Sequence, residues 1–244
     1  MVRADLHLHT ALSPCAADEM TPDAIVATAL DRGLDMIAVC DHNSARNVSA
    51  VQEAAGARLA VIAGIEITTA EEVHVVGLLP SATAASLVSD RIGATLPEAG
   101  SDYNRYFGEQ YVLASDGTVV AGEDKALATA TGLRLENAVA LIQQHGGVAV
   151  AAHIDRPHFG VLGQLGFFPY DAGFDAVELS RHVVPGSGEA RGYREHRLPI
   201  VFSSDAHFLE DVGAASTRLE LQAPSFAELR LALKGSDGRT VLDA

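Results

Sequence analysis

The sequence predicts an α/β fold, a distorted seven-stranded (β/α)7 TIM-like barrel with an inserted subdomain. Short apolar segments typical of buried strands alternate with segments whose apolar residues recur at helical spacing. Most of the predicted strands end in a histidine or a carboxylate. In an α/β barrel the C-terminal ends of the strands form one mouth, so these side chains are expected to meet there.

The composition fits one globular unit with a large core. The chain has 244 residues, of which 48% are apolar. It carries 17 basic and 32 acidic residues, and the resulting net charge of −15 repels polyanions. Long nucleic acid is therefore disfavoured as a substrate. A small phosphorylated substrate stays compatible, because divalent ions would make one pocket locally positive.

The sequence contains no apolar run of membrane-spanning length, and its N-terminus has charged and imidazole groups where a signal peptide is apolar. Its two cysteines, Cys15 and Cys40, are too few for a disulfide framework. We therefore expect a cytoplasmic protein with no membrane partner. The oligomeric state does not follow from the sequence.

The first strand contains a histidine pair. Asp5, His7 and His9 alternate with leucines, and alternate side chains of a strand share a face. Two imidazoles at this spacing can chelate one ion. Because a single His-x-His is weak evidence, the interpretation depends on further ligands at other strand ends.

Strands and helices then follow in turn. A helix begins after Thr21, a good N-cap, and ends at Gly33. Further helices are predicted over residues 47–56, 135–145, 188–196 and 225–234. Strands are predicted over residues 35–40, 59–66, 73–79, 147–152, 174–179, 199–204 and 217–221, giving seven barrel strands and one extra. The connection over residues 67–72 is too short for a parallel crossover, so the strand after it should run antiparallel and place His74 beside Glu66.

Residues 80–134 interrupt this pattern and divide the barrel into residues 1–79 and 135–244. Within them, an Asp-Gly pair at 116–117 between two β-prone segments predicts a hairpin, and residues 126–131 predict a short helix. The insertion connects two ligand-bearing strands. This favours a lid over the mouth above simple padding on the outside of the barrel.

The polar residues at the strand ends resemble the PHP family, the polymerase and histidinol phosphatase domains, and within it the small stand-alone phosphoesterases with an insertion. The resemblance is carried by four motifs, which are His7-Leu8-His9, Asp41-His42-Asn43, Glu66 with His74, and His153 with Asp205 and His207. It implies a distorted barrel, two or three divalent ions and hydrolysis of phosphoesters.

The resemblance also implies three ligand sets, which are His7, His9, Glu66 and Asp205; Glu66, His74 and His153; and Cys15, His42 and His207. Glu66 suits a shared position, because a carboxylate can bridge two cations. Imidazole and carboxylate ligands suit zinc, manganese or iron, and a thiolate favours zinc. Many relatives have an acid or a histidine near Cys15, so Asp18 or Glu19 is an alternative ligand there.

Other polar residues follow the predicted strands and are expected at the mouth. The catalytic candidates are Asp205, Glu66 and His182, and the substrate-binding candidates are Arg156, Arg181, His182 and Asn43. Arg156 can fork onto a phosphate or form a salt bridge with Asp155 or another barrel carboxylate. Arg181 and His182 can bind the ester or protonate its leaving group, whereas Asn43 can also serve only to shape a turn.

The predicted reaction is hydrolysis of a phosphomonoester or nucleotide by a water whose pKa the ions lower. One alternative is a 3′–5′ nuclease or phosphodiesterase on short oligonucleotides. Another is a non-catalytic domain that is stabilised by metal and binds a ligand or a partner. The large ligand set favours an enzyme, because a structural site is normally closed by four ligands. Outside this set, His145 is expected to be structural and His196 to be solvated.

Overall fold

A nine-stranded sheet, curled into a nearly closed barrel, organises the fold in the computed structural model, which describes residues 1–242. The strands are β1 (Val2–Leu8), β2 (Met36–Val39), β3 (Ala60–Thr68), β4 (His74–Leu79), β5 (Tyr111–Leu113), β6 (Val119–Gly122), β7 (Val148–Ala151), β8 (Ala176–Leu179), β9 (Ile200–Phe202), β10 (Thr217–Glu220) and β11 (Thr240–Val241). The helices are α1 (Pro22–Asp31), α2 (Val48–Ala55), α3 (Ala82–Gly93), α4 (Ser101–Phe107), α5 (Leu135–Gln144), α6 (Val161–Leu165), α7 (Gly188–Gly192) and α8 (Phe226–Leu233). All of these helices are too short or too polar to cross a lipid bilayer.

The order of strands in the sheet is β11-β10-β1-β2-β3-β4-β7-β8-β9, and β5 pairs only with β6. β4 runs antiparallel to both β3 and β7, as the short connection before it predicted. The far side closes where Leu8 bridges Ala206 and the His9 N–H donates to the Ala206 carbonyl at 3.0 Å.

The predicted count of seven barrel strands with one extra is not matched, because the continuous sheet has nine strands. β10 and β11 extend it beyond β1 as antiparallel strands. β11 contains only Thr240 and Val241, and its pairing with β10 defines it. A strand of this length has no hydrophobic period that a sequence could reveal.

The sheet separates two apolar clusters. The outer cluster joins the sheet to α1, α2, α3 and α5, and it includes Ile25, Val51, Val88, Ile142, Val39, Ile65 and Phe202. The inner cluster fills the barrel against α8, and it includes Leu6, Ala38, Ile62, Val76, Val150, Val201 and Leu229. Glu66 and His74 alternate in phase with Ile62 and Val76, so their side chains lie on the inner face, directly above a packed apolar floor.

The prediction that side chains alternate strictly between the two faces of β1 is wrong. Leu6 belongs to the inner cluster but Leu8 to the outer one, and the pairing of β1 with β2 shifts register between Asp5 and Leu8. Such an irregularity re-aims side chains and is common beside functional sites. As a result Asp5 accepts hydrogen bonds from the backbone of Ser204 and Gly213, at 3.0 and 2.9 Å, and ties β1 to the loop after β9.

The insertion differs from its prediction in its helices. The hairpin of β5 and β6 is confirmed, but residues 126–131 form turns instead of a helix. Their carbonyls are used elsewhere, since those of Leu127 and Thr129 accept hydrogen bonds from Asn43 Nδ2. α3 and α4 were not predicted, although Ser81 caps α3 by accepting the Ala84 N–H at 3.1 Å.

His196 is also corrected, because it is buried instead of solvated. Only 5% of the residue is exposed, and its ring stacks on Phe168 with centroids 4.5 Å apart. It belongs to a short 3₁₀ turn, Tyr193–His196, that closes over this aromatic ring. The polar residues around His196 in sequence concealed that packing.

We expect Gly64→Ala to lower the free energy of unfolding by about 1–3 kcal/mol, because the site is overpacked. A Cβ atom there would lie 2.5 Å from Cys40 Sγ and 2.7 Å from the Val39 carbonyl. Urea denaturation measures the loss. Gly93→Ala is the matched control, since nothing lies within 4 Å of its Cβ position, and it should be neutral or stabilising. Equal stability of the two variants would contradict the packing described here.

Candidate metal centre

Eight of the nine residues predicted as ligands converge on the mouth of the barrel and form what we call the histidine cluster. Its members are His7, His9, His42, Glu66, His74, His153, Asp205 and His207. β1, β3 and β4 contribute His7, Glu66 and His74 directly, and the segments after β1, β2, β7 and β9 contribute the rest. All except His207 are at least nine-tenths buried.

The Glu66 carboxylate lies at the centre of this cluster. One oxygen, Oε1, is 2.8 Å from His74 Nδ1 and 3.2 Å from His153 Nε2. The other, Oε2, is 2.9 Å from His42 Nδ1. Burial raises the pKa of Glu66, but the neighbouring imidazoles, led by that of His74, outweigh burial and hold it well below its ordinary value. Glu66 is therefore a buried anion that needs positive charge around it.

A second carboxylate, Asp205, faces the histidine pair of β1. His9 Nε2 lies 3.0 Å from Asp205 Oδ1 and 3.2 Å from His7 Nε2. Burial lowers the pKa of His7, but the carboxylates of Glu178 and Glu66 outweigh it and raise that pKa well above its ordinary value. Surroundings that attract a proton to His7 would equally attract a divalent cation.

The cluster fits divalent metal ions. Ligand atoms within 4.8 Å of one another form three groups, which are His7, His9, Glu66 and Asp205; His42, Glu66 and His74; and His9, His42 and His207. His42 Nδ1 and Glu66 Oε2 are buried without a hydrogen-bond partner among residues 1–242, although they lie 2.9 Å apart. Two such atoms can share a cation between them, and imidazole with carboxylate is a donor set that zinc, manganese and iron accept.

The first group coincides with one of the predicted ligand sets, and the other two groups differ in part from theirs. His42 takes the place predicted for His153 beside Glu66 and His74, although His153 is still 3.3 Å from His74. His9 takes the place predicted for Cys15 beside His42 and His207. The three groups therefore share more residues than the predicted ligand sets do, since His9, His42 and Glu66 each belong to two groups.

Cys15 lies at the edge of the cluster, where its thiol interacts electrostatically with His207 and His42. Partial burial raises the pKa of the thiol, but these two imidazoles outweigh burial and lower it to about 6. Asp18 and Glu19, the alternatives to Cys15, are exposed to solvent, as is Cys15 itself. Cys15 is favoured by its interaction with the two imidazoles.

Outer carboxylates fix the tautomers of the histidine pair. His7 Nδ1 donates to Glu178 at 3.1 Å, and the backbone N–H of His153 donates to the same oxygen at 3.1 Å. His9 Nδ1 donates to Ser13 Oγ at 2.9 Å, and Ser13 in turn donates to Asp41 at 2.8 Å. Both Nε2 atoms therefore present lone pairs to the centre.

Sequence reasoning missed the role of Glu178 and assigned none to Asp41. The sequence did contain a signal for Glu178, because it is the one charged residue in the otherwise apolar strand β8. In the structure it is 1% exposed. A buried charge in such a strand requires a partner. Which partner it has depends on the position of His7, 171 residues away.

Three residues around the site have left-handed backbone conformations without being glycine. Their φ angles are 52° at Asn43, 28° at His153 and 51° at Asp205. Each of them follows the end of a strand, where the chain turns sharply. Such conformations cost about 1–3 kcal/mol each and concentrate at functional sites, where the surrounding structure holds them in place.

The cationic candidates lie beside the cluster with different partners. Arg156 Nη1 donates to Asp205 Oδ2 at 2.6 Å, so its salt bridge is to a cluster carboxylate instead of Asp155. Arg181 pairs with Asp211, on the loop after β9. His182 is exposed, and its backbone N–H donates to Ser180 Oγ at 3.3 Å.

Asn43 has a structural task. Its Nδ2 donates to the carbonyls of Leu127 and Thr129, at 2.8 and 3.0 Å, and its Oδ1 accepts the Thr68 N–H at 2.9 Å. The amide is thus occupied by backbone groups, and the residue is 1% exposed. Its predicted contact with a substrate stays a prediction.

We expect Glu178→Gln to weaken binding of a divalent metal by about 10- to 100-fold, because the carboxylate that orients His7 is lost. Titration calorimetry of metal-free protein with zinc or manganese measures the change. Glu220→Gln, at an exposed position of β10, is the control and should bind like the wild type. Unchanged affinity in the Glu178 variant would exclude this orienting role.

Alkylation of Cys15 in metal-free protein should be half-maximal near pH 6, whereas a free thiol reaches that point near its own pKa of about 8.5. The thiolate is the reactive form, so the rate rises with pH through this pKa. Mass spectrometry after iodoacetamide treatment gives the profile. Cys40 is the internal control, because burial raises its pKa and keeps it unreactive. A midpoint near pH 8.5 for Cys15 would show that the imidazoles do not activate it.

The chain is similar in sequence or in fold to several known proteins. The chain is 24% identical over 273 aligned residues to the uncharacterized protein YqxK of Bacillus subtilis, covering 99% of this chain and 64% of that protein. It superimposes on the lesion-specific endonuclease EndoQ of Pyrococcus furiosus with a TM-score of 0.73 and 19% identity, covering 98% of this chain and 57% of that one. Against a metal-dependent phosphoesterase of Bifidobacterium adolescentis, termed putative, the TM-score is 0.58 at 22% identity, over 84% and 87% of the two chains. The chain thus spans only about three-fifths of YqxK and of EndoQ.

Two parts of the sequence also match known protein families. The PHP domain matches residues 5–144, and the PHP-associated region matches residues 189–237. The first match covers more than half of the chain and includes the motifs that supply His7, His9, His42, Glu66 and His74. The chain therefore belongs to the PHP family.

Proposed function

We propose that this protein hydrolyses a small phosphoester at the histidine cluster, with two or three divalent ions as cofactors. The observation that carries the proposal is the buried Glu66 carboxylate with five imidazole nitrogens within 3.4 Å of it, from His7, His9, His42, His74 and His153. A structural site needs only four ligands and leaves no room for a substrate. A larger set shared by a central carboxylate is typical of hydrolytic centres with several ions.

The proposed ligands are the eight residues of the histidine cluster together with Cys15. When bound, the ions supply a Lewis acid for the phosphoryl oxygens and lower the pKa of a water. Glu66 and Asp205 contribute negative charge that offsets repulsion between neighbouring cations. Cys15 contributes a thiolate near neutral pH, since its pKa is about 6, and this favours zinc at the third position.

Arg156 is the proposed phosphate ligand. Its guanidinium already lies at the centre, 2.6 Å from Asp205, and 31% of its side chain is exposed. A planar guanidinium has five N–H donors, so several stay available for a phosphate after one has paired with the carboxylate. Arg181 and His182 follow β8 at the same end of the barrel, and we propose that His182 protonates the leaving group.

The insertion is proposed to form one wall of the mouth. The Tyr111 N–H donates to the Ala11 carbonyl at 2.9 Å, and the Thr131 N–H donates to the Thr68 carbonyl at 2.8 Å. Gly108 approaches Pro14 so closely that a Cβ atom on it would lie 2.6 Å from the Pro14 carbonyl. These contacts attach residues 108–131 to the loops after β1 and β3, which supports the lid over the padding alternative.

A second candidate function is cleavage of phosphodiesters in short nucleic acids. It is favoured by the structural similarity to EndoQ, a lesion-specific endonuclease, because the superposition covers 98% of this chain. The net charge of −15 opposes binding of a long polyanion, because the surface carries no general attraction for it. We therefore place the small phosphoester first.

The proposed function is tested with Asp205→Asn, which removes a carboxylate from the first ligand group. Hydrolysis of phosphomonoesters, nucleotides and short oligonucleotides should fall at least about 100-fold, because ion binding and charge neutralisation are both impaired. The wild type should contain two or three ions per chain by elemental analysis after metal resupply.

The matched control is His145→Ala. His145 is the C-cap of α5, where its Nδ1 lies 2.9 Å from the Leu141 carbonyl. It is not a member of the histidine cluster. This variant should retain activity and metal. Turnover by Asp205→Asn at the wild-type rate with an unchanged circular dichroism spectrum would place the reaction elsewhere, and metal binding without any turnover would favour the non-catalytic alternative.

A further inference from the structure

Phe159 is an aromatic residue at the rim of the histidine cluster that the proposed chemistry leaves without a role. It lies on the loop after β7, and its ring stacks on that of His74 with centroids 4.5 Å apart and planes 19° apart. His74 Nδ1 is in turn 2.8 Å from Glu66. One imidazole therefore separates the phenyl ring from the central carboxylate.

The backbone holds this ring in place at a strained position. The φ angle of Phe159 is 60°, a conformation that bulky side chains rarely adopt. Its carbonyl accepts the His74 N–H at 2.8 Å, which fixes the loop to β4. Gly160 packs so tightly that a Cβ atom there would lie 2.5 Å from the Arg156 carbonyl. Backbone strain that the surrounding structure holds in place is concentrated at functional sites.

The outer part of the ring is open to solvent. Phe159 is 40% exposed, although one face rests on His74. The loop that contains it also contains Arg156, the proposed phosphate ligand, three residues earlier. Arg156 and Phe159 therefore belong to one short loop, and each contacts a member of the histidine cluster, Asp205 and His74 respectively.

A second exposed aromatic residue lies at the same mouth. Phe208 is 49% exposed and directly follows His207, whose ring stacks on His9 with centroids 4.0 Å apart. The centre is polar, whereas two loops beside it carry exposed phenyl rings. Stacking on such rings does not depend on charge, so the acidic character of the chain does not oppose it.

We propose that Phe159 is a specificity-determining residue that stacks on a planar aromatic ring in the organic part of the phosphoester. The substrate class is accordingly a nucleoside phosphate or an aryl phosphate instead of an aliphatic one. This inference rests on the proposed function, because it assigns the substrate of the same site.

The test compares metal-loaded wild type with Phe159→Leu on adenosine 5′-monophosphate and ribose 5-phosphate, which both carry the phosphate on the primary 5-oxygen of a ribose and differ in the base. We expect kcat/KM for the nucleotide to fall about tenfold while that for the sugar phosphate changes less than about twofold. Phe159→Tyr, which keeps a ring, should behave like the wild type. The ratio of wild-type to Phe159→Leu activity on phenyl phosphate, compared with the same ratio on the nucleotide, separates an aryl group from a nucleobase as the preferred ring.

Phe167→Leu is the matched control, since Phe167 is 62% exposed and lines a different cavity with Leu135 and Pro169. It should leave both substrates unaffected. An equal loss on nucleotide and sugar phosphate in Phe159→Leu, with reduced metal content, would show that the ring only positions His74 and would overturn the inference. No change on either substrate would overturn it as well.

Binding distinguishes this inference from the proposed function. Should the wild type hydrolyse none of these esters, the proposed function fails, but phenylphosphonate and methylphosphonate can still be titrated against the same proteins by calorimetry. Phe159→Leu should then weaken phenylphosphonate alone by about tenfold. Equal affinities of the variant and the wild type for phenylphosphonate would reject the stacking role.

Discussion

The buried carboxylate of Glu66 is the constraint on which the rest of the site depends. An ionised carboxylate inside a protein is expensive unless opposite charge surrounds it. β3 delivers this anion to the top of an apolar floor, and β4 returns antiparallel so that His74 contacts it at 2.8 Å. Imidazoles from β1 and from the loops after β2 and β7 complete the shell. The curled sheet is therefore what makes one charge accessible to five histidines.

The surrounding structure supports this centre at some cost to itself. Glu178 orients His7 and the backbone of His153 together, while Ser13 and Asp41 orient His9. Left-handed conformations beside three strand ends, and the register shift in β1, store strain that regular elements would avoid. Proteins retain such features where geometry matters more than stability.

The mouth combines chemically different surfaces within a few residues of chain. The loop after β7 supplies His153 to the centre, Arg156 beside a carboxylate and Phe159 at the rim. The insertion reaches the loops after β1 and β3, and Asn43 connects it to the loop after β2. A polar centre with the Arg156 guanidinium and the Phe159 ring beside it suits the proposed substrate, a phosphate attached to a larger organic group.

The sequence by itself determined most of the strands, the antiparallel return of β4 and the family, because hydrophobic period and residues at strand ends are local properties. It also identified eight residues that converge. Only the tertiary structure decided that Glu178 orients His7, that the Asn43 amide binds backbone carbonyls of the insertion, and that the Cys15 thiol interacts with two imidazoles. It also decided the nine-strand count, since β11 exists only through its pairing. These outcomes depend on contacts between distant segments, and hydrophobic periodicity carries no information about which segments meet.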